Sequence, residues 1–211
     1  MADTTHTSLK LYRHPLSGHC HRVELLLSLL GLPVQLYDVD LLRGAQKTPE
    51  FLALNCFGQV PVLDDAGTIV ADSNAILVYL ALEYGADTWW PRDAAGVAAV
   101  QRWLSVAAGP IAQGPGQARL INLFRLKQDA GVVIARAHAL LQVVEGELAR
   151  RGFLTGERPS LADVAAYAYI AHAPEGGVSL AEYAQLRAWL ARIEALPGFV
   201  PMARSQIGLV A

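Results

Sequence analysis

Two short polar clusters in this 211-residue chain have the residue types and the placement to hold an anion. The first is Ser17, in the stretch HPLSGHCHRV, where the chain turns at Pro15-Leu16 and a helical pattern begins. Val23, Leu26, Leu27 and Leu30 recur at i, i+3, i+4 and i+7, which predicts a helix with one apolar face. Ser is favoured just before the first turn of such a helix, and Gly31 and Pro33 stop it. A hydroxyl placed there sits beside unpaired N–H groups and about half a positive charge, so it stabilises a neighbouring anion. The second cluster is Asp72-Ser73, which opens another helix with Ile76, Tyr79 and Leu80 on its stripe. Ser73 is expected to cap that helix, and a capped N-terminus is a ready carboxylate site. Helix capping alone is compatible with either cluster, so the case for chemistry rests on their occurring together.

Thiol and metal chemistry find less support. The two cysteines, Cys20 and Cys56, form no C-x-x-C pair and no zinc spacing. His19, Cys20 and His21 are adjacent, but adjacent ligands seldom converge on one ion and no second cluster completes a set, so no metal is expected. Ser17-Gly18-His19-Cys20 has dithiol spacing with the first cysteine replaced. The first position is the exposed nucleophile of such motifs, which argues against redox work.

Strands and helices must bring the two polar clusters together. Hydrophobic residues make up 53% of the chain and charged ones 17%, enough apolar material for a sizeable core. The net charge of -2 and a pI near 6.3 give no basic surplus for nucleic acid. No run reaches membrane-spanning length and MADTTHTSLK carries no apolar signal, so a cytoplasmic protein is expected. Leu9 and Leu11 alternate with Lys10 and Tyr12 as a strand, and Val34–Asp40 reads as a second, parallel to the first through a helical crossover. Thr48 caps a short helix over Pro49–Leu54. Val60–Leu63 and Thr68–Ala71 form a hairpin, giving β-α-β-α-β-β-α for residues 1–84. Residues 85–92 read as a linker and 93–211 as all-helical. In that part, Gly109–Gly116 is expected to interrupt the first helix, Leu120–Arg151 to form one long helix, and Ser160 with Asp163 to make a capping box before Leu161–His172. A last helix is expected over Leu180–Leu196.

This order resembles a thioredoxin-like domain followed by the helical domain of the cytosolic glutathione transferase superfamily. The matching residues are Ser17 with Arg22-Val23, then NCFGQVPVL over 55–63, then ADSNAIL over 71–77. The serine at the first helix start resembles the bacterial-type, serine-type groups, since Tyr12 lies back on the strand. The resemblance implies that glutathione is the co-substrate, that Ser17 stabilises its thiolate, and that a small hydrophobic electrophile is attacked. It implies a cis Val60-Pro61 bond, with the Val60 backbone pairing the cysteinyl part of glutathione. Ser73 would take the γ-glutamyl carboxylate and Asp72 its amino group, while Lys47 and Gln46 would meet the glycine carboxylate. Trp103, Tyr12 and the 109–116 loop would shape the electrophile pocket, and Arg22 would be structural, near the domain contact. A homodimer is expected. The rival readings are a non-catalytic binding protein on the same fold and a thiol oxidoreductase working through Cys20.

Overall fold

The computed structural model describes residues 9–85 and 88–205. Four strands form one mixed sheet in the order β2-β1-β3-β4. β1 is Leu9–Arg13, β2 Val34–Asp38, β3 Val62–Asp65 and β4 Thr68–Ala71. β1 runs parallel to β2 and antiparallel to β3, and β3 and β4 form the hairpin. The strand alternation of β1 splits the sheet into two faces. Leu9, Leu11 and Leu63 enter the main core with the helices α1 (Gly18–Leu29) and α3 (Ser73–Glu83). Tyr12 and Val62 face the other way, onto Phe51 of α2 (Pro49–Leu54). The expected elements are present here, with β2 ending two residues early and β3 starting two residues late, at Val62. The hairpin turn narrows to Ala66 and Gly67, both with positive φ.

Beyond residue 93 the chain is helical: α4 (Ala94–Val106), α5 (Gln117–Phe124), α6 (Ala130–Leu148), α7 (Leu161–Ala171) and α8 (Ala184–Glu194). Three expectations fail in this half. Residues 107–116 do not interrupt the helix but continue it as a π-type coil that carries Pro110 and Pro115 within it. Its glycines serve close packing: a Cβ on Gly114 would lie 3.3 Å from Ala137 Cα on α6, and one on Gly116 would meet the Tyr169 ring at 3.3 Å. The expected long helix over Leu120–Arg151 is two helices. α5 ends where Arg125 turns to φ 49, and Asp129 starts α6 by accepting from the Gly131 N–H. α8 is also shorter than expected, beginning at Ala184.

The capping box stands as expected. Ser160 accepts from the Ala162 N–H and Asp163 accepts from the Ser160 N–H at 2.8 Å. Asp163 is buried and also accepts from the Leu154 N–H and the Trp189 indole, so this cap ties three segments of the helical half together. α7 is the central helix, buried along nearly its whole length, and it packs against α1 and α3. One apolar core therefore runs from the sheet into the helical half. No helix among the described residues is long and apolar enough to cross a membrane.

Candidate active site

β1 delivers the chain to the first polar cluster, and charged side chains fix its end. Arg13 donates to Asp38 of β2 at 2.9 Å and to Glu24 of α1 at 2.6 Å. The turn over residues 14–16 is then folded on itself, with the Ser17 N–H donating to the His14 carbonyl at 3.0 Å. The helical half holds the same turn. Arg119 of α5, almost wholly buried, donates Nη1 to the Leu16 carbonyl at 2.7 Å and Nε to Glu175 at 2.7 Å. Ser17 is the N-cap of α1, with φ -89 and ψ 118, and its Oγ accepts from the Cys20 N–H at 3.3 Å. A hydroxyl used as an acceptor keeps its own proton for donation.

Cys20 lies on the buried side of this turn. Its Sγ accepts from the His14 N–H at 3.3 Å, and burial pushes the thiol up to about 11. At neutral pH it stays protonated, so it supplies no nucleophile. His19, Cys20 and His21 diverge: His19 Nδ1 lies 3.3 Å from Ser73 Oγ, while His21 Nε2 reaches the Val200 carbonyl at 2.8 Å.

The second wall is the loop from α2 to β3. Val60-Pro61 is cis, and the ladder with β1 starts only at Val62, so the Val60 backbone lies outside it. Asn55 shapes the loop by donating Nδ2 to the Gln59 carbonyl at 2.8 Å and accepting from the Phe57 N–H at 3.1 Å. Gly58 has φ +57, and a Cβ there would lie 2.6 Å from the Gln46 carbonyl oxygen. Only glycine accommodates both the left-handed φ and that approach.

The third wall is the start of α3, and here one detail of the expectation is corrected. Asp72, not Ser73, is the N-cap, and its Oδ1 accepts from the N–H groups of Asn74 and Ala75 at 2.9 and 3.0 Å. Asp72 has φ 78 and ψ 127, a region that costs a residue with a Cβ of order 1–3 kcal/mol and gathers at ligand sites. Ser73 is the first helical residue; its buried Oγ accepts from Arg22 Nη1 at 3.2 Å. Burial pushes His19 down to about 4, so the imidazole beside Ser73 is neutral at pH 7.

These walls enclose one cavity of about 790 Å³. Ser17, Gln46, Val60, Pro61, Asp72 and Ser73 all line it. Lys47 does not; its Nζ donates to the Phe57 carbonyl at 3.1 Å, just behind the wall. Tyr12 and Trp103 do not line it either. Tyr12 stacks on Tyr37 with centroids 5.3 Å apart and meets Phe51, on the α2 face of the sheet. Trp103 is buried in the core of the helical half, and residues 109–116 are also absent from the lining. The apolar wall is instead Leu120, Leu123 and Phe124 of α5 with Tyr169 of α7. The i, i+3, i+4 spacing of the α5 residues was a legible signal, hidden by reading that stretch as part of one long helix. His14 and His19 also line the cavity, and nothing in their spacing alone marked them.

Known proteins resemble this chain along nearly its whole length. Residues 16–83 match the model of the glutathione S-transferase N-terminal domain, and residues 107–197 that of the C-terminal domain. Glutathione S-transferase 3 of Zea mays is 35% identical over 206 residues, spanning 90% of this chain and 91% of the relative. Glutathione S-transferase theta-3 of Mus musculus is 32% identical over 202 residues, spanning 90% and 83%. A crystal structure of a glutathione S-transferase from Pseudomonas fluorescens superposes with a TM-score of 0.88 at 35% identity, covering 93% of this chain and 99% of that one. Matched in both halves and along nearly its whole length, the chain belongs to the glutathione S-transferase family.

Proposed function

We propose that this glutathione transferase is of the bacterial-type, serine-type groups, in which the Ser17 hydroxyl activates the glutathione thiol. The observation that carries the reading is that Ser17, the Val60-Pro61 edge and the Asp72-Ser73 helix start all line one cavity with an apolar far wall. Glutathione lies with its γ-glutamyl carboxylate at Ser73 and its amino group at Asp72. The N–H and C=O of Val60, outside the ladder, pair its cysteinyl backbone, with Pro61 fixing the turn. Gln46, with Lys47 behind it, takes the glycine carboxylate. This places the sulfur at the start of α1, where the hydroxyl of Ser17 donates to it and the helix end favours its anion. The thiolate then attacks an electrophile held against Leu120, Leu123, Phe124 and Tyr169.

Buried Cys20 plays no part in this scheme. The chain divides at the linker into a glutathione-binding unit, 1–84, and a helical unit, 93–211. It works as a homodimer in the cytoplasm, detoxifying small hydrophobic electrophiles. Exposed apolar side chains such as Phe57, 75% exposed, and Leu82, 67% exposed, offer surface that a second subunit would cover.

Calorimetric titration with glutathione, followed by turnover on a panel of hydrophobic electrophiles, tests the reading. Binding in the parent, weakened in Ser73→Ala, is expected. Equal affinity in the two would refute the placement. Light scattering that reports a mass near 22.7 kDa would refute the dimer.

A further inference from the structure

α5 carries the apolar wall of the cavity, Leu120, Leu123 and Phe124, and immediately before it Arg119. This arginine reaches out of the helical half to the turn that leads into Ser17. Other polar groups of that turn are closed locally. The His14 N–H donates to Cys20 Sγ, the Leu16 N–H to His14 Nδ1 at 3.3 Å, and the Ser17 N–H to the His14 carbonyl. The Leu16 carbonyl instead takes Arg119 Nη1 at 2.7 Å.

Arg119 is 1% exposed, and its Nε pairs with Glu175 Oε2 at 2.7 Å. Glu175 also accepts from the Ser205 hydroxyl at 2.7 Å and N–H at 3.2 Å, and His172 Nδ1 lies 2.7 Å from its Oε1. Burial by itself would raise the Glu175 carboxyl, but Ser205, His172 and Arg119 outweigh it and hold the group down at about 2. It is therefore charged at neutral pH. A buried ion pair gains little stability over apolar side chains of the same volume. Arg119 Nη2 is also buried with no partner, which adds to the cost. Stability is thus a weak reason for the pair. Geometry is a better one, because a rigid guanidinium held by Glu175 at one N–H fixes where another N–H holds the Leu16 carbonyl.

We infer that Arg119 is a positioning residue for the thiolate site, fixing the turn over 14–16 so that the Ser17 hydroxyl meets the glutathione sulfur. The inference rests on Ser17 as the donor to that sulfur. The same helix carries the wall against which the electrophile lies, so Arg119 also sets the span between the two reactants. Misplacement by about 1 Å at such a site can cost on the order of a hundredfold in rate.

The test is the ionisation of bound glutathione, read by thiolate absorbance. Arg119→Met combined with Glu175→Gln removes both charges together, so their opposed fields at the sulfur largely cancel. In that variant the bound thiol should ionise about one pH unit above the parent's, the scale of a hydrogen bond to a charged group. Affinity for S-methylglutathione, which has no thiol to ionise, should change little. A parental titration overturns the inference. So does a loss of S-methylglutathione affinity as large as the thiol shift, which marks a collapsed cavity and not a displaced hydroxyl.

Arg119→Lys decides the matter should the double variant not fold. The lysine keeps a charge for Glu175 but lacks the fork, so its bound thiol should also ionise above the parent's. A parental value overturns the inference. In a Ser17→Ala background Arg119→Lys should add nothing, because both substitutions act through one hydroxyl; an additive shift overturns the inference. Ser17→Ala by itself separates the two readings. If it titrates like the parent, the serine reading fails and the inference with it. If it moves and Arg119→Lys does not, only the inference fails.

Discussion

Asp72 does two jobs that a substitution series can separate. It caps α3 through two hydrogen bonds and it holds a φ of 78, which penalises any side chain. Removing a cap costs about 1 kcal/mol with Ala but only a few tenths with Gly. Ala also retains the strain of the positive φ, of order 1–3 kcal/mol, whereas Gly escapes it at an entropic cost of about 0.5–1 kcal/mol. Asp72→Gly should therefore be about as stable as the parent or up to about 2 kcal/mol more stable, and Asp72→Ala should be roughly 1–3 kcal/mol less stable than Asp72→Gly. For a chain of this size the gap is about 2–12 °C in melting temperature at fixed protein concentration. Both variants lose the carboxylate that the proposed pose sets against the glutathione amino group, so on that proposal both should bind glutathione about tenfold or more weakly, despite their different stabilities. Melting scans without ligand and calorimetry with glutathione give the two orders independently. An alanine variant as stable as the glycine variant would refute the strain argument. A glycine variant with parental affinity would refute the ligand role of Asp72.

Gly18→Ala should lower activity and stability together, because its Cβ would fall 2.7–2.9 Å from the buried ring of Tyr169, a cavity wall; parental kinetics in that variant would contradict the packing. Cys20→Ser should keep most conjugating activity, since the thiol is buried and raised to about 11, and steady-state rates would show otherwise if Cys20 were the nucleophile. Burial holds His19 and His21 near 4 in the folded chain against about 6.5 when unfolded, so folding favours their neutral forms. Their contribution to stability is complete above about pH 6.5 and drains away as the pH falls toward 4, by up to about 1.4 kcal/mol per unit for each. Denaturation midpoints across that window should show the loss, and His21→Gln should flatten it.

The sheet half was legible because each element carried its own punctuation: Ser17 and Gly31 bound α1, Thr48-Pro49 starts α2, and Asp72-Ser73 starts α3. What the sequence hid there was the division of labour between Asp72 and Ser73, since either residue can cap and only the φ of 78 decides it. In the helical half, glycine and proline misled. At 107–116 they read as a break, but tertiary contacts with Ala137 and Tyr169 use the missing side chains for close approach. Conversely, the break after Phe124 lacks glycine altogether and falls on Arg125, against its ordinary preference. Asp129 was the available sign of a new helix. Trp103 shows the limit of reading type without place: one large aromatic of the helical half is core, while the cavity wall is made by Leu120, Leu123, Phe124 and Tyr169.

The proposed chemistry depends on the Ser17 hydroxyl stabilising the glutathione thiolate. An ultraviolet titration of bound glutathione in the parent and in Ser17→Ala measures this directly, because the thiolate absorbs and the thiol does not. In the parent the bound thiol should ionise well below the free value of about 8.5. In Ser17→Ala it should ionise at higher pH, yet still below the free value because the helix end remains, and glutathione affinity should change little. If the two titrations coincide, Ser17 is a helix cap and another group activates the thiol.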